Sequence, residues 1–301
     1  AGACNTLKKI KTVIIPSTVN TDGALKTGSF GTDEYGQNWG TQQQSLSGGG
    51  GISQFYFRGN FKPSYMETPD VFHATGWAVQ TCPPIIRDDL GFVVGYIPHP
   101  TKNPNNPAHK CAVVVPEGVT SILGGAFEGC VQMTSLTLPS TLETIGEWGF
   151  EGCTNLTEVA LPEAVKYIGD EAFAGCSNLV EVTGEPYLGD SSVGIDVVAG
   201  TKLAANADAA GEGVMFGSVL VYQGANGSQE TIDVPGTVTG VAGGAFRNAS
   251  GVVNVNLPLS VAWIGYEAFA DNADLKRIRL YVGTVVDYHF ADQASNASLT
   301  E

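Results

Sequence analysis

Residues able to do chemistry are few in this chain, and they are poorly placed for it. The four histidines, His73, His99, His109 and His289, form neither an H-E-x-x-H pair nor the Cys/His spacing of a zinc site. His99, His109 and Cys111 come nearest to a ligand set, but they lie in or beside a Pro/Asn-rich run from Pro98 to Pro107. No G-x-S-x-G nucleophile elbow occurs, since Gly28-Ser29-Phe30-Gly31 has the wrong offset. Asp88 and Asp89 are sequence neighbours that point apart on an extended chain, so they make no acid/base pair. The glycine run from Gly48 to Gly51 leads into no Lys-Ser/Thr and cannot be completed to G-x-G-x-x-G, which excludes a phosphate cradle. Asn206-Ala-Asp208-Ala-Ala-Gly211 approaches a calcium loop but lacks the closing glutamate. The reading assigns no catalytic residue, no metal and no cofactor: the chain is not expected to be an enzyme.

What the sequence does contain is a period. Prolines recur at Pro116, Pro139 and Pro162, then at Pro235 and Pro258, 23 residues apart within each block. Eleven residues after each proline stands a phenylalanine: Phe127, Phe150, Phe173, Phe246 and Phe269. Only 13 phenylalanines occur in the chain, so five in one slot mark a repeat. Three residues after each proline come Val119, Leu142, Val165, Val238 and Val261; six after it come Ile122, Ile145, Ile168, Val241 and Ile264. Three after each phenylalanine come Cys130, Cys153 and Cys176, replaced by Ala249 and Asn272 in the later copies. The approach to the proline repeats as well, as in Leu156-x-x-Val159-x-Leu161 and Leu275-x-x-Ile278-x-Leu280, whose final i, i+2 step is that of a strand. The consensus is L-x-x-V-x-L-P-x-x-V-x-x-I-G-x-x-A-F-x-G-C-x-N. A unit this short must bury its apolar residues against its neighbours, which predicts a solenoid.

This consensus resembles the BspA-type leucine-rich repeat family, and residues 112–183 and 231–280 match it closely. The resemblance implies a solenoid with one parallel sheet, a second short strand at V-x-x-I and a helical or 3-10 turn at A-F-x-G-C. It also implies secretion or surface display, binding to host, matrix or neighbouring-cell molecules, and no catalytic residues to carry over.

Around the regular copies the reading is one continuous solenoid domain. Residues 1–30 hold a degenerate N-terminal repeat, with Ile10-x-x-Val13-x-Ile15-Pro16 in the strand slot. Residues 31–110 are an irregular, aromatic-rich insertion with one degenerate repeat at Ile52-x-x-Phe55-x-Phe57. Three regular repeats follow at 111–183, then a decorated coil at 184–230 with a hairpin near Val214 to Tyr222. Two regular repeats occupy 231–280, and a C-terminal cap, 281–301, looks like a truncated copy.

The cysteines divide by slot. Cys130, Cys153 and Cys176 stack inward at the coil spacing of about 4.8 Å, too far and wrongly aimed for a relaxed disulfide, and read as buried thiols. Cys111 faces outward by alternation, and a Cys82–Cys111 bridge closing the insertion would stabilise the fold by about 3–4 kcal/mol. The chain begins Ala1-Gly-Ala3, as one does after removal of an export signal or as a fragment does. Sequons stand at Asn155, Asn226, Asn248 and Asn296. The expected place is extracellular or on the cell surface.

Composition bounds the partners. With 43% apolar and 15% charged residues the chain can bury a core, and no run approaches the roughly 20 apolar residues of a membrane span. The net charge is −15, and Cys111 to Phe246 holds two basic residues against 17 acidic ones, so nucleic acid is not an expected partner. Two functions fit: an adhesin-like extracellular module binding a protein or glycan, or a structural subunit that polymerises with further copies of itself or docks into an extracellular assembly or filament. Candidate contacts are the insertion's Trp39, Tyr56, Arg58, Tyr65 and Trp77, because Tyr and Trp supply large contact area at low entropic cost. A second candidate is the basic row Lys276, Arg277 and Arg279, which ends an otherwise small and polar strand face.

Overall fold

The short repeat places its order in the contact between one coil and the next, and the structure shows which atoms make that contact. The computed structural model describes residues 12–15, 54–57, 85–88 and 93–96, and residues 110–291 apart from 190, 191, 225, 226 and 288. The chain divides into two compact units: residues 1–115 with 132–134, and residues 116–131 with 135–301.

In the first unit, β1 (Thr12–Ile15) and β2 (Gln54–Phe57) pair in parallel, with Val13 opposite Phe55 and Ile15 opposite Phe57. The two degenerate strand slots are therefore strands. β2 continues in parallel onto β3 (Ile85–Asp88), which pairs antiparallel with β4 (Val93–Tyr96). That turn-back lies in the stretch where the sequence shows little period. In β5 (Cys111–Val114) and the residue after it, Val113 and Val115 are buried while Ala112 and Val114 are exposed, the alternation expected of a half-buried strand.

The second unit carries the regular coils. Its described strands are β6 (Ser121–Ile122), β7 (Met133–Thr137, which begins in the first unit), β8 (Thr144–Ile145), β9 (Glu158–Ala160), β10 (Tyr167–Ile168) and β11 (Glu181–Thr183). After the helix α1 (Lys202–Ala210) come β12 (Gly213–Phe216), β13 (Val219–Gln223), β14 (Thr231–Asp233), β15 (Gly240–Val241), β16 (Asn254–Asn256), β17 (Trp263–Ile264), β18 (Arg277–Arg279) and β19 (Val285–Val286). The V-x-x-I strands pair in parallel: β6 with β8 and β8 with β10, then β13, β15, β17 and β19 in order. The strands before the prolines form their own ladders, β9 with β11, and β14, β16 and β18. Ser121, Thr144 and Tyr167 occupy one register position, as do Thr231, Asn254 and Arg277, each 23 residues from the last.

Aromatic stacking runs along the axis. The rings of Phe127, Phe150 and Phe173 lie 5.2 and 5.3 Å apart, parallel to within 3°, and Phe246 stacks on Phe269 at 4.7 Å. Each run ends on an edge-on ring, Phe216 against Phe173 and Phe290 against Phe269. Parallel rings at this spacing add about 0.5–1.5 kcal/mol per pair beyond the area they bury.

The I-G step of the consensus is a close approach of backbones. A Cβ on Gly146 would lie 2.5 Å from the Gly124 nitrogen, and one on Gly169 would lie 2.4 Å from the Glu147 nitrogen. The glycine before each cysteine has another cause, a left-handed backbone with φ near +67° at Gly129, Gly152 and Gly175. Asn248 and Asp271 take the same conformation in the later coils, as short polar residues can.

The excursion between the two regular blocks holds a hairpin of β12 and β13 about Gly217-Ser218, and before it the helix α1. Thr201, in the slot filled by cysteine three coils running, caps that helix by accepting from the Ala204 N–H; Gly211 closes it at φ 72°. The segment Asn206 to Gly211 is thus a helix end.

Phe150 has a stacked ring on both faces, so Phe150→Ala is expected to cost about 3–5 kcal/mol in urea denaturation, the range for deleting a fully packed aromatic. Cys153→Ala, which removes one weak hydrogen bond and one sulfur, is expected to cost less than half of that.

Candidate binding surface

Three exposed groupings can be built from the coils upward. The first is the outward side of the strands that precede the prolines. In β14, β16 and β18 the inward residues Ile232 and Val255 are buried and Ile278 packs against the same core, so the alternate residues form two rows outside. Asn254 donates from Nδ2 to Thr231 Oγ1 at 3.1 Å, and Arg277 donates from Nη1 to Asn254 Oδ1 at 3.4 Å. In the other row Asn256 Nδ2 donates to Asp233 Oδ1 at 2.7 Å, with Arg279 next in register. Lys276, Arg277 and Arg279 are exposed, so the structure brings the basic candidates together on the last strand. In β9 and β11 the same side places Glu158 opposite Glu181.

The second grouping surrounds Arg247. Its Nη1 lies 2.8 Å from Asp196 Oδ2, its Nη2 pairs with Glu267, and its Nε lies 3.4 Å from Asp271 Oδ2. Burial works against the guanidinium charge, but the three carboxylates outweigh it and hold its pKa above the ordinary value. Tyr266 stands beside this group, its phenol raised by the hydrogen bond to Glu267, and its ring meets His289 edge-on at 5.5 Å. Tyr222 donates to Asp208 Oδ1 at 2.8 Å; burial first, and that bond second, raise its phenol. Arg247 thus clamps the decorated coil to the two repeats after it.

The third grouping is on the turns of the earlier coils. Glu128 and Glu151 occupy successive copies of the slot that Arg247 fills later, one residue beyond the phenylalanine. Glu151 is pushed up by partial burial first, then by Glu128 and Glu171. Trp148 and Tyr167 are exposed, at 43% and 38%. Sequence reasoning missed both Arg247 and this pair, although aligning the copies by period shows each as a departure from its slot.

The remaining candidates are scattered. Trp39, Arg58, Tyr65, Trp77 and Cys82 lie outside the described residues, as do the side chains of Tyr56, a β2 residue opposite Arg87, and of Cys111. Asn226 and Asn296 also lie outside them. Asn248 is exposed. Asn155 donates from Nδ2 to the Val131 carbonyl at 2.6 Å, and Asn178 repeats that bond to Thr154. Cys130, Cys153 and Cys176 are buried thiols, as expected, and they also bond: Cys153 Sγ donates to the Phe127 carbonyl at 3.2 Å and Cys176 Sγ to that of Phe150 at 3.1 Å. The neighbouring Cys176 thiol, then burial, push the Cys153 thiol well up. Among the described residues no three His, Cys, Asp or Glu side chains are grouped to hold a metal, and no helix is long and apolar enough to cross a membrane.

The repeated slot that sends a Cys Sγ or the Asn272 amide to the previous coil's phenylalanine carbonyl is the consensus realised in space. The BspA type leucine rich repeat region matches this chain in six copies, at residues 110–198 and 222–300, more than half of its length. The chain belongs to the BspA-type leucine-rich repeat family. Among solved structures, this BspA-type chain is similar to a T. pallidum leucine rich repeat protein at 24% identity and TM-score 0.35, covering 65% of this chain and 75% of that one. It is also similar to a leucine rich cell surface protein from Faecalibacterium prausnitzii (22%, TM-score 0.34, 92% of this chain and 62% of that one). A leucine-rich repeat protein from Bacteroides ovatus is matched at 18%, TM-score 0.40, over 83% of this chain and 66% of that one. The BspA-type chain therefore spans less than two thirds of the length of the last two. No curated protein matches it.

Two substitutions test these electrostatics. Arg247→Met leaves three carboxylates facing one another and is expected to lower stability by about 1–3 kcal/mol, a loss that added salt partly restores. Glu151→Gln has the opposite sign. Its carboxyl pKa is raised on folding, so the charged form is penalised above that pKa and the penalty disappears as pH falls below the ordinary carboxylate range. Glu151→Gln should raise the melting temperature slightly at neutral pH, by a few tenths of a kcal/mol in stability, and leave it unchanged in acid.

Proposed function

We propose that the chain is a non-enzymatic binding module, displayed on the cell surface or secreted, that recognises a protein or glycan partner in the manner of an adhesin. The observation that carries this reading is the division of labour between slots. Inward positions are spent on the phenylalanine stack and aliphatic core, while outward strand positions carry polar side chains held in hydrogen-bonded rows from Thr231 to Arg277 and from Asp233 to Asn256. Side chains already fixed by their neighbours lose little freedom on binding, which is what a recognition surface needs. The open, one-dimensional stacking of the family supplies such a surface along its length.

A second reading, the structural subunit of an extracellular assembly, is supported by the last coil. Leu280, Tyr281, Val282, Val285 and Val286 are exposed there, and among the described residues β18 and β19 are end strands of their sheets. An apolar strand edge invites another strand. Basic residues on β18 would meet the acidic middle of a neighbouring copy.

The two readings separate in solution. On the binding reading the purified chain stays monomeric in light scattering at high concentration and retains immobilised matrix proteins or glycans. Reversal of Lys276, Arg277 and Arg279 to Glu then weakens that retention about tenfold or more. On the assembly reading the chain scatters as growing species, and the same reversal suppresses their growth in a salt-dependent way.

A further inference from the structure

The coils from Pro116 to Gly184 carry an acidic surface, of which Asp170 also serves the packing, its Oδ1 accepting the Ile195 N–H at 2.9 Å. Between Cys111 and Thr201 the chain has 13 carboxylates and one cation, Lys166, which already contacts Glu143 at 3.0 Å. Several of these carboxylates gather on the turns. Glu147 and Asp170 occupy one slot in successive coils, and Glu151 lies within electrostatic reach of Glu128 and Glu171. Two aromatic residues stand exposed in the same place. Trp148 follows Glu147 and its N–H donates to the Asp170 carbonyl at 2.9 Å, while Tyr167 lies within reach of both Asp170 and Glu147.

The later coils are arranged differently. There Arg247 stands in the slot of Glu128 and Glu151, and it gathers Asp196, Glu267 and Asp271. In the first two earlier coils the same slot holds an acid, Glu128 and Glu151, and in the third Ala174, while Trp148 and Tyr167 stand exposed in neighbouring slots. A cation brought from outside would meet carboxylates and π faces together, and it would relieve the like-charge contact at Glu151.

We propose that the face formed by Trp148 and Tyr167 with Glu147, Glu151, Asp170 and Glu171 is a docking surface for a lysine- or arginine-rich segment of a partner protein. The proposal rests on the binding-module reading and assigns it a partner chemistry and a place separate from the β14–β16–β18 rows. A neutral glycan stacked on the same aromatic residues is the competing occupant, and it would be indifferent to the carboxylate charge.

The test is a fluorescence anisotropy titration of the whole chain with a short labelled peptide of alternating Lys and Gly. A neutral oligosaccharide of glucose units is titrated in parallel. Trp148→Asn keeps the left-handed backbone at φ 54°, which Asn tolerates, and is expected to weaken peptide binding about threefold to fivefold. Glu147→Gln, Glu151→Gln and Glu171→Gln together are expected to weaken it about tenfold and to flatten its salt dependence. Glu158→Gln with Glu181→Gln, which removes charge from the strand side, should change affinity by less than about twofold. Melting curves confirm that each variant folds. The proposal is overturned if the strand-side pair weakens binding as much per charge as the turn-side set, or if Trp148→Asn has no effect. It is also overturned if the oligosaccharide binds through Trp148 and the peptide does not. Matrix or glycan retention that depends on Lys276, Arg277 and Arg279 but not on Trp148 would overturn this face and keep the module; its absence in every assay would remove both.

Discussion

The structure depends on one constraint: a coil of 23 residues satisfies its backbone only through the coil beside it. The turn after each I-G step leaves amides and carbonyls that no helix or broad sheet absorbs, and they are met across the stack. Phe127 N–H donates to the Gly149 carbonyl and Phe150 N–H to that of Ala172, while the phenylalanine carbonyl accepts from the Cys or Asn three places past the next phenylalanine. These bonds fix the coil spacing, and the spacing then dictates the rest. Rings of one slot stack because they are held that far apart; glycine is required where backbones meet; asparagine at the end of the consensus reaches back to the preceding turn.

Much of this was legible in the sequence because the period is strict. Five phenylalanines in one slot and the alternation before each proline identify the inward residues, and every one of those phenylalanines is fully buried. Even the degenerate copies at Val13 and Phe55 are strands in register. The cysteines were legible as buried thiols but not as donors. Only the stacked geometry shows that Cys, Thr201 and Asn272 share a slot because each can offer a hydrogen to a carbonyl.

What the sequence did not disclose lies where the period breaks. The helix α1 follows a threonine in the cysteine slot, and its run Lys-Leu-Ala-Ala-Asn-Ala-Asp-Ala-Ala carries no apolar stripe long enough to stand out, so its alanine-rich propensity and its caps are the only local signals. The Arg247 clamp joins residues 51 and 20 apart in sequence, a separation that no local pattern encodes. Trp148 was hidden for a different reason. It stands in a slot where Gly125 and Gly244 take a left-handed backbone, so it reads as an exception to a turn before it reads as a surface residue.

The most direct measurement of the central claim, that each coil is held by the next, is hydrogen exchange on the intact chain followed by mass spectrometry. The amides of Gly125, Phe127, Gly129, Trp148, Phe150 and Gly152 lie in short turns, where exchange would ordinarily be fast, yet each donates to the following coil. The account predicts that these turn amides are strongly protected and exchange together with the strand amides of Ser121–Ile122 and Thr144–Ile145. Turn amides that exchange at the rate of unstructured peptides while the strands stay protected would contradict it.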